Sequence, residues 1–354
     1  MVRYFCFTLY VSLTIVFETQ SQSGGKTAFQ SLNISADART ASMGGNFISV
    51  YDNDISSALQ NPALINHQHH QQLNLSIADY FSDIKFGTAA YARSFKNTGT
   101  FIASLKYIDY GTFTLSDEFA NQTGTFNATD FNFNISFGRP FFDSSFTYGI
   151  TVKGIASNLA EYSSYAVAAD AGIAYQNQKR NITASLLIKN AGRQVKTFTQ
   201  TKEKLPFEIQ FGFSKKLGNA PIRFNLNLVQ LQTFDLTYES KFNQNDIDQV
   251  SAEDSPKKAT FFKKAVLHLV PGIEILLSKN FHLRGSYHFL RRYELAQPTK
   301  RGTVGFSFGA GIKVSKFYLD YARSVYHLSA ATNQFTLAIN FNDWYRKKTT
   351  PINS

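Results

Sequence analysis

Two short motifs in this sequence have the spacing of motifs that contain a catalytic serine. The run Gly-Phe-Ser-Phe-Gly at 305–309 matches the Gly-x-Ser-x-Gly elbow, which presents a nucleophilic serine between a strand and a helix. Ser82 and Lys85 have the Ser-x-x-Lys spacing of penicillin-binding enzymes, without the Lys-Thr-Gly or Ser-Asp-Asn motifs that accompany it. Because 305–309 reads as strand on both sides, we predict that Ser307 is not a nucleophile and that the chain is not an enzyme.

Histidines and aspartates offer the alternative of a metal site. His67, His69 and His70 are three imidazoles within four residues, a set that could bind a metal or form a polar linker. Asp52 and Asp54 could touch calcium, but their loop lacks the oxygen ligands of an EF-hand. We predict the polar linker, no metal and no cofactor.

Composition narrows the class of protein. The chain has 354 residues with 34 Phe, 18 Tyr and a net charge of +11. Charged residues make up 17 %, against about 25 % in an ordinary domain. The aromatic content excludes a disordered chain, and the single cysteine, Cys6, excludes a disulfide scaffold and cysteine-ligated metals. A Phe-rich, charge-poor sequence without long apolar runs is typical of a transmembrane β-barrel.

The N-terminus has the pattern of a secretory signal. Arg3 precedes an apolar run at 4–17, and Thr19 and Ser21 fit a cleavage site before Gln22. We therefore predict a signal peptide at 1–21, which places the mature chain outside the cytoplasm. That location, and phenylalanines that alternate rather than cluster with Lys or Arg, argue against nucleic-acid binding despite the positive charge.

From residue 72 onward, apolar and polar residues alternate. Phe131, Phe133 and Ile135, for example, are separated by Asn132 and Asn134. Alternation places the two sets on opposite faces of a strand, and many segments are long enough to cross a membrane. We predict an all-β outer-membrane barrel at 72–342 with about fourteen antiparallel strands. The predicted strands are 72–80, 84–94, 100–111, 126–138, 145–156, 165–175, 181–190, 206–214, 221–232, 268–277, 281–290, 302–313, 317–327 and 334–342.

The length of each predicted connector depends on whether it follows an odd- or an even-numbered strand. Connectors after even-numbered strands are short, whereas most of those after odd-numbered strands are long: 112–125, 157–164, 191–206, 233–267 and 291–301. Outer-membrane barrels have short periplasmic turns and long outer loops. We therefore expect both ends of the barrel at the periplasmic face, with 343–354 as a periplasmic tail.

The long outer loop 233–267 separates its charges. Acidic residues come first, and a basic and aromatic stretch follows: Lys257, Lys258, Phe261, Phe262, Lys263 and Lys264. One interpretation is an ordinary surface loop. The other is a docking loop for a partner or for anionic lipopolysaccharide, favoured by the positive net charge.

Residues 22–71 precede the barrel and do not alternate. Asp37 to Ser42 predicts a short helix that ends before Gly44 and Gly45, and a second helix is predicted at 55–60. Because fourteen strands enclose a wide lumen, we expect 22–71 to fold inward as a hatch or plug. Inside a lumen Arg39 needs partners, and Asp37, Asp52 and Asp54 are the nearest in sequence.

The N-terminal segment resembles the PorV/PorQ family of the type IX secretion system. The resemblance lies in Ser-Ala-x-Ala-Arg, Met-Gly-Gly, Asp-x-Asp-Ile and Asn-Pro-Ala-Leu, with the matching residues Ala38, Arg39, Met43, Gly44, Gly45, Asp54, Asn61, Pro62 and Ala63. That family is related in fold to the FadL fatty-acid transporters, fourteen-stranded barrels with an N-terminal hatch. The length is more similar to PorQ than to PorV.

The resemblance implies a non-enzymatic anchor in the outer membrane. Its implied partners are surface proteins of the attachment complex, PorZ-like and acting with PorU and PorV, together with membrane lipid and lipopolysaccharide. The alternative is a FadL-like transporter of long-chain fatty acids or other hydrophobic ligands. An outer-membrane enzyme would need a Ser/His/Asp grouping, which the sequence does not display.

Overall fold

The structure is a computed structural model that describes residues 27–80, 84–141, 145–237, 260–296, 302–327 and 330–345. Across these residues, fourteen antiparallel strands close into one barrel. The strands are β1 (Gln72–Asp79), β2 (Lys85–Phe95), β3 (Gly99–Ser116), β4 (Gln122–Pro140), β5 (Phe146–Leu159), β6 (Tyr162–Asn177), β7 (Ile182–Lys196), β8 (Glu208–Lys216), β9 (Ile222–Leu228), β10 (Leu269–Ile275), β11 (Phe281–Tyr287), β12 (Phe306–Val314), β13 (Phe317–His327) and β14 (Ala330–Asn340).

The barrel closes between its first and last strands. β1 pairs with β14 along its whole length, from Gln72 opposite Asn340 to Asp79 opposite Asn333. Closure leaves neither strand with an unpaired edge, which a bilayer would not tolerate. The predicted fold class is therefore confirmed in strand number, direction and closure.

Alternation along each strand separates the two faces of the wall. In β4, Asn132 is 1 % exposed, whereas Phe131 and Phe133 are 40 % and 51 % exposed. The buried amides of Asn225 and Asn227 on β9 repeat the pattern. The aromatic face thus points outward and the amide face lines the lumen, as the period of two predicts.

Connectors at the two mouths of the barrel differ in length. The mouth that carries the start of β1 and the end of β14, here called the terminal mouth, has only short connectors: 96–98, 141–145, 178–181, 217–221, 276–280 and 315–316. The opposite loop mouth carries 197–207, 229–268 and 288–305. The rule for outer-membrane barrels predicts that the terminal mouth faces the periplasm, and this orientation stays a prediction.

Two of the predicted outer loops are wrong. Most of 112–125 and 157–164 is strand, because β3 pairs with β4 and β5 with β6 beyond the predicted ends. Phe113 lies opposite Phe126, and their rings stack with centroids 5.2 Å apart. Cross-strand aromatic pairs of this kind stabilise the pairing of the two strands.

Helices occur in the N-terminal segment and at both mouths. They are α1 (Ala38–Ser42), α2 (Ile55–Gln60), α3 (Phe261–Leu267), α4 (Phe289–Leu295) and α5 (Asn342–Tyr345), with 3₁₀ turns at Gln30–Asn33, Pro62–Leu64 and His67–His69. α1 and α2 confirm the two predicted helices. α4 replaces the end of the predicted strand 281–290, because His288 caps a helix through its side chain. None of the described helices is long and apolar enough to cross a membrane.

Some predictions concern residues that the structure does not describe. These are the signal peptide 1–21, Lys257 and Lys258 of the predicted docking loop, and the tail beyond residue 345.

Candidate functional site in the barrel lumen

The N-terminal segment, residues 27–71, lies against inward-facing side chains of the wall, and most of it is buried. The Ala38 N–H donates to Thr336 Oγ1 on β14 at 2.8 Å. The Ser324 and Ser286 hydroxyls donate to the carbonyls of Ala41 and Ser42 at 3.0 and 2.8 Å. The wall therefore supplies hydroxyl partners to the backbone of α1, a short helix with many unpaired backbone groups of its own.

α1 begins and ends at residues suited to those positions. The Asp37 carboxylate accepts from the Thr40 N–H at 2.8 Å and caps the helix. Burial raises the pKa of Asp37 to about 6, although the Thr40 N–H favours the charged form. Gly44, at φ +78°, follows the helix end in a left-handed conformation that glycine adopts without strain.

The Asn61-Pro62-Ala63 turn contacts the wall on the other side. The Asn61 side chain accepts from the Ala63 N–H at 3.0 Å and donates to the Ile48 carbonyl at 2.9 Å. A Cβ at Gly149 on β5 would lie 2.2 Å from the Pro62 carbonyl oxygen. Glycine at this position therefore allows the segment to approach the wall backbone closely.

Arg39 is the centre of a buried ion network. Its guanidinium lies 2.7 Å from Asp52, 3.0 Å from Asp54 and 3.2 Å from Glu274 of β10. Burial alone would raise the pKa of Asp52, but the guanidiniums of Arg39 and Arg223 hold that pKa well below its usual value. Two of the three predicted partners are confirmed, whereas Asp37 caps α1 instead.

The network continues into the barrel wall. Arg223 contacts Glu274 at 2.7 Å and Asp52 at 3.2 Å, so it bridges the wall and the segment. Arg284 donates to Glu274 at 3.0 Å and also pairs with Asp320. These wall residues were missed at the sequence level. The signal that points to them is an ionisable residue at an inward position of a membrane strand, where charge is costly unless paired.

Below the network, toward the terminal mouth, lies a polar vestibule of about 1000 Å³. It is lined by side chains of the segment and of the wall, among them Arg39, Asp52, Asp54, Arg223, His282, Lys313 and Tyr318. Both signs of charge face it. The vestibule therefore suits water and polar groups, and it is separated from the loop mouth by the buried segment.

The histidine cluster is split by the fold. His67 to His69 form a 3₁₀ turn in which His69 is fully buried, with Nε2 3.2 Å from the Asp52 carbonyl. Burial lowers the pKa of His69 to about 4, so the ring is neutral at ordinary pH. Within the described ranges, no group of three or more His, Cys, Asp or Glu residues could hold a metal ion.

Ser307 lies inside β12 rather than at a strand-to-helix elbow. The residue is 1 % exposed, and its hydroxyl accepts from Arg291 Nη1 at 3.3 Å. The residues after it continue as strand to Val314. The geometry of the nucleophile elbow is thus lacking at this serine.

The described part of the predicted docking loop is a helix at the loop mouth. On α3, Phe261 and Phe262 are 72 % and 75 % exposed. Lys264 pairs with Asp235, and Lys263 lies 5.0 Å from the centre of the Tyr293 ring of α4. The lysines are thus held by neighbours, and the two phenyl rings face solvent.

Comparison with known proteins identifies solved structures with a similar fold. The sequence matches no protein-family profile and no curated protein. In structure it is similar to the toluene transporter TbuX of Ralstonia pickettii, with a TM-score of 0.50 and 12 % identity over 87 % of this chain and 97 % of that one. The toluene transporter TodX of Pseudomonas putida has a TM-score of 0.50 and 12 % identity over 91 % and 97 %. A FadL homologue of Pseudomonas aeruginosa has a TM-score of 0.49 and 11 % identity over 87 % and 98 %.

The chain is therefore an outer-membrane protein with a closed barrel of fourteen strands. At 12 % identity, these comparisons support a shared fold only. No ligand-site residue of this chain is inferred from them.

Proposed function

We propose that this chain is an outer-membrane transporter of small hydrophobic compounds, in which the N-terminal segment acts as the hatch. The observation that carries the proposal is that the N-terminal segment occupies the lumen and packs in buried apolar clusters against the wall near the loop mouth. The fold shared with two toluene transporters favours the same function.

Apolar groups in the upper lumen support a hydrophobic ligand. Near the loop mouth, Ala78, Phe86 and Ile108 form a buried cluster, against which Ile34 and Tyr110 pack. A second cluster joins Phe29 and Leu32 of the segment to Ile155 and Leu205. Movement of the segment would expose both clusters toward the loop mouth, where a ligand from outside would enter.

A cysteine lock tests the role of the hatch. Ala38 and Ala41 of α1 pack against Ala322 of β13 in one buried cluster. Two double variants, Ala38→Cys with Ala322→Cys and Ala41→Cys with Ala322→Cys, would tie α1 to the wall. Cells whose outer membrane carries the chain are given labelled toluene, and uptake is measured with and without a reductant.

We expect wild-type uptake above that of cells without the chain, loss of uptake in a crosslinked variant, and recovery on reduction. The three single-cysteine variants are the controls and should transport in both conditions. The transporter proposal would be rejected if wild-type cells took up neither labelled toluene nor labelled oleate, a long-chain fatty acid tested in the same way. Undiminished uptake by a variant whose crosslink is verified would reject the moving hatch.

A second candidate function is the PorQ-like anchor of the type IX attachment complex. The observation that favours it is the pair of exposed phenyl rings on α3, Phe261 and Phe262, at the loop mouth. Large exposed aromatic groups outside the membrane are typical of a protein interface. Deletion of the gene would then release secreted cargo from the cell surface, and a PorZ-like surface protein would co-purify with the chain.

The double variant Phe261→Ser with Phe262→Ser separates the two functions. As an anchor it should lose both the attached cargo and the surface protein, with toluene uptake unchanged. Phe119→Ser is the matched control, because Phe119 is 84 % exposed at the β3–β4 hairpin tip. Normal cargo attachment after gene deletion would reject the anchor.

A further inference from the structure

A second, smaller cavity lies between the N-terminal segment and the wall of β3 to β7. Its volume is about 40 Å³, enough for roughly three water molecules at about 10–15 Å³ each. Backbone and side chains of the segment form one side, including Leu32, Ile34 and Gln60. The cavity is therefore of the size of a few water molecules or one small ion.

Three lysines and one carboxylate line this cavity: Lys106, Lys153, Lys189 and Asp170. Each is less than 9 % exposed. Lys153 Nζ lies 2.7 Å from Asp170 Oδ2, so that pair is neutral together. Lys106 and Lys189 have no ion pair with a carboxylate in the described residues, and a buried ammonium group is costly without an opposite charge.

The remaining lysines differ in their partners. Lys106 Nζ donates to the carbonyls of Ile34 and Ser31, which are neutral groups of the segment. Lys189 has neither a hydrogen bond nor an ion pair in the described part of the chain. The neighbouring acid Asp130 accepts from the Tyr110 hydroxyl at 3.0 Å, and Asp37 caps α1.

Unpaired amides complete the lining. Asn132 is 1 % exposed and lies opposite Lys106 in the sheet, and neither its side-chain nitrogen nor its oxygen has a partner. The Asn134 oxygen is also unpaired, next to Lys153 across the β4–β5 pairing. A buried amide without hydrogen-bond partners is costly, so a buried N–H donor facing this lysine-lined cavity requires an acceptor.

We infer that this cavity binds one small oxyanion of the size of phosphate or acetate, held by Lys106, Lys189 and the Asn132 amide. Two or more anionic oxygens would match two ammonium groups and an N–H donor at once. Because Lys106 also donates to the segment backbone, the bound ion joins the segment to the wall. The inference does not depend on the proposed transport.

The test uses the full chain refolded from urea into detergent, with and without inorganic phosphate at constant ionic strength. Refolding lets the ion enter before the barrel closes. Bound phosphate is counted after removal of free ion, and the urea midpoint is measured in both preparations. Wild type should retain one phosphate per chain and show a higher urea midpoint with phosphate, since binding to the folded state alone stabilises it.

Substitutions at Lys189 decide the site. Lys189→Gln should bind phosphate at least about tenfold more weakly, the effect of losing one charge-assisted hydrogen bond, whereas Lys189→Arg should keep binding. Lys215→Gln, at an exposed position of β8, is the matched control. The same measurement with acetate in place of phosphate tests whether a carboxylate is sufficient for binding. No retained phosphate or acetate, or an equal midpoint shift in Lys189→Gln and wild type, would overturn the inference.

Discussion

At the residue scale, Glu274 links the N-terminal segment to the barrel wall. Its carboxylate lies within 3.2 Å of guanidinium groups from Arg39, Arg223 and Arg284. The first belongs to the N-terminal segment and the other two to the wall. Glu274 thus compensates buried positive charge on both sides of the boundary between segment and barrel.

Replacement of Glu274 by Gln should therefore be strongly destabilising. Three guanidiniums would lose a shared partner, and removal of one member of a buried ion pair costs about 3–5 kcal/mol. The free energy of unfolding is measured by urea titration in detergent. Lys313→Gln is the control, because Lys313 and Asp343 form a partly exposed pair at 3.6 Å, worth less than about 1 kcal/mol. Equal losses in the two variants would contradict the role given to Glu274.

His69 makes stability depend on pH. Burial lowers the pKa of His69 from its ordinary 6.5 to about 4, so the folded state binds fewer protons than the unfolded state in this window. Its stabilising contribution is complete above pH 6.5 and is lost as the pH falls toward 4, by at most about 3 kcal/mol.

The comparison of wild type with His69→Asn isolates this effect. Asp37 acts in the opposite sense, since its pKa is raised to about 6 by burial, and its contribution is lost as the pH rises through 6. Asp37, Asp52 and Asp54 are present in both proteins, so their contributions largely cancel in the difference. A difference in unfolding free energy that stays constant from pH 7 to 4 would contradict the assignment.

At the scale of elements, contact between the Pro62 turn and β5 depends on the absence of a side chain at Gly149. Gly149→Ala would place a Cβ 2.2 Å from the Pro62 carbonyl oxygen and should destabilise the segment by about 1–3 kcal/mol through overpacking. Amide hydrogen exchange at Ala63 and Leu64 measures this directly, and it should become faster.

The same strand offers a matched control. Gly154→Ala adds a Cβ with nothing within 4 Å, so exchange at Ala63 and Leu64 should remain as in wild type. Both variants change glycine to alanine in β5, and intrinsic strand preference is therefore the same. Similar exchange rates in the two variants would show that the turn does not press on the wall.

The alternation of apolar and polar residues predicted the strands well, because each strand buries one face and a period of two is enough to identify it. The hairpin extensions beyond 111 and 156 were missed, because cross-strand pairing of Phe113 with Phe126 depends on register, not on the pattern of either strand. Asp52 and Asp54 were predictable partners of Arg39 because they are near it in sequence. Glu274 is 235 residues away and reaches Arg39 only through the fold, so it was not predicted.

At the scale of the whole molecule, the outward face decides how the barrel sits in the membrane. Ile135 is 49 % exposed on the outward face of β4, and we expect it to lie near the bilayer midplane. Ile135→Lys should destabilise the barrel in lipid vesicles by about 2–4 kcal/mol, the cost of a lysine near the bilayer midplane. Urea unfolding from vesicles measures it.

Phe119→Lys is the control for this prediction. Phe119 is 84 % exposed beyond the end of β3, and a charge there remains in water. Its unfolding free energy should match wild type within about 0.5 kcal/mol. A large loss at Phe119, or none at Ile135, would place the membrane at a different height on the barrel.

The contacts of α1 also constrain the order of assembly. Ala38 binds Thr336, which is 298 residues away, and Ser42 binds Ser286, which is 244 residues away. Contacts so distant in sequence form late, because most of the chain must be ordered first. We therefore expect the N-terminal segment to dock late in folding, together with the strands β11 and β14 that carry Ser286 and Thr336.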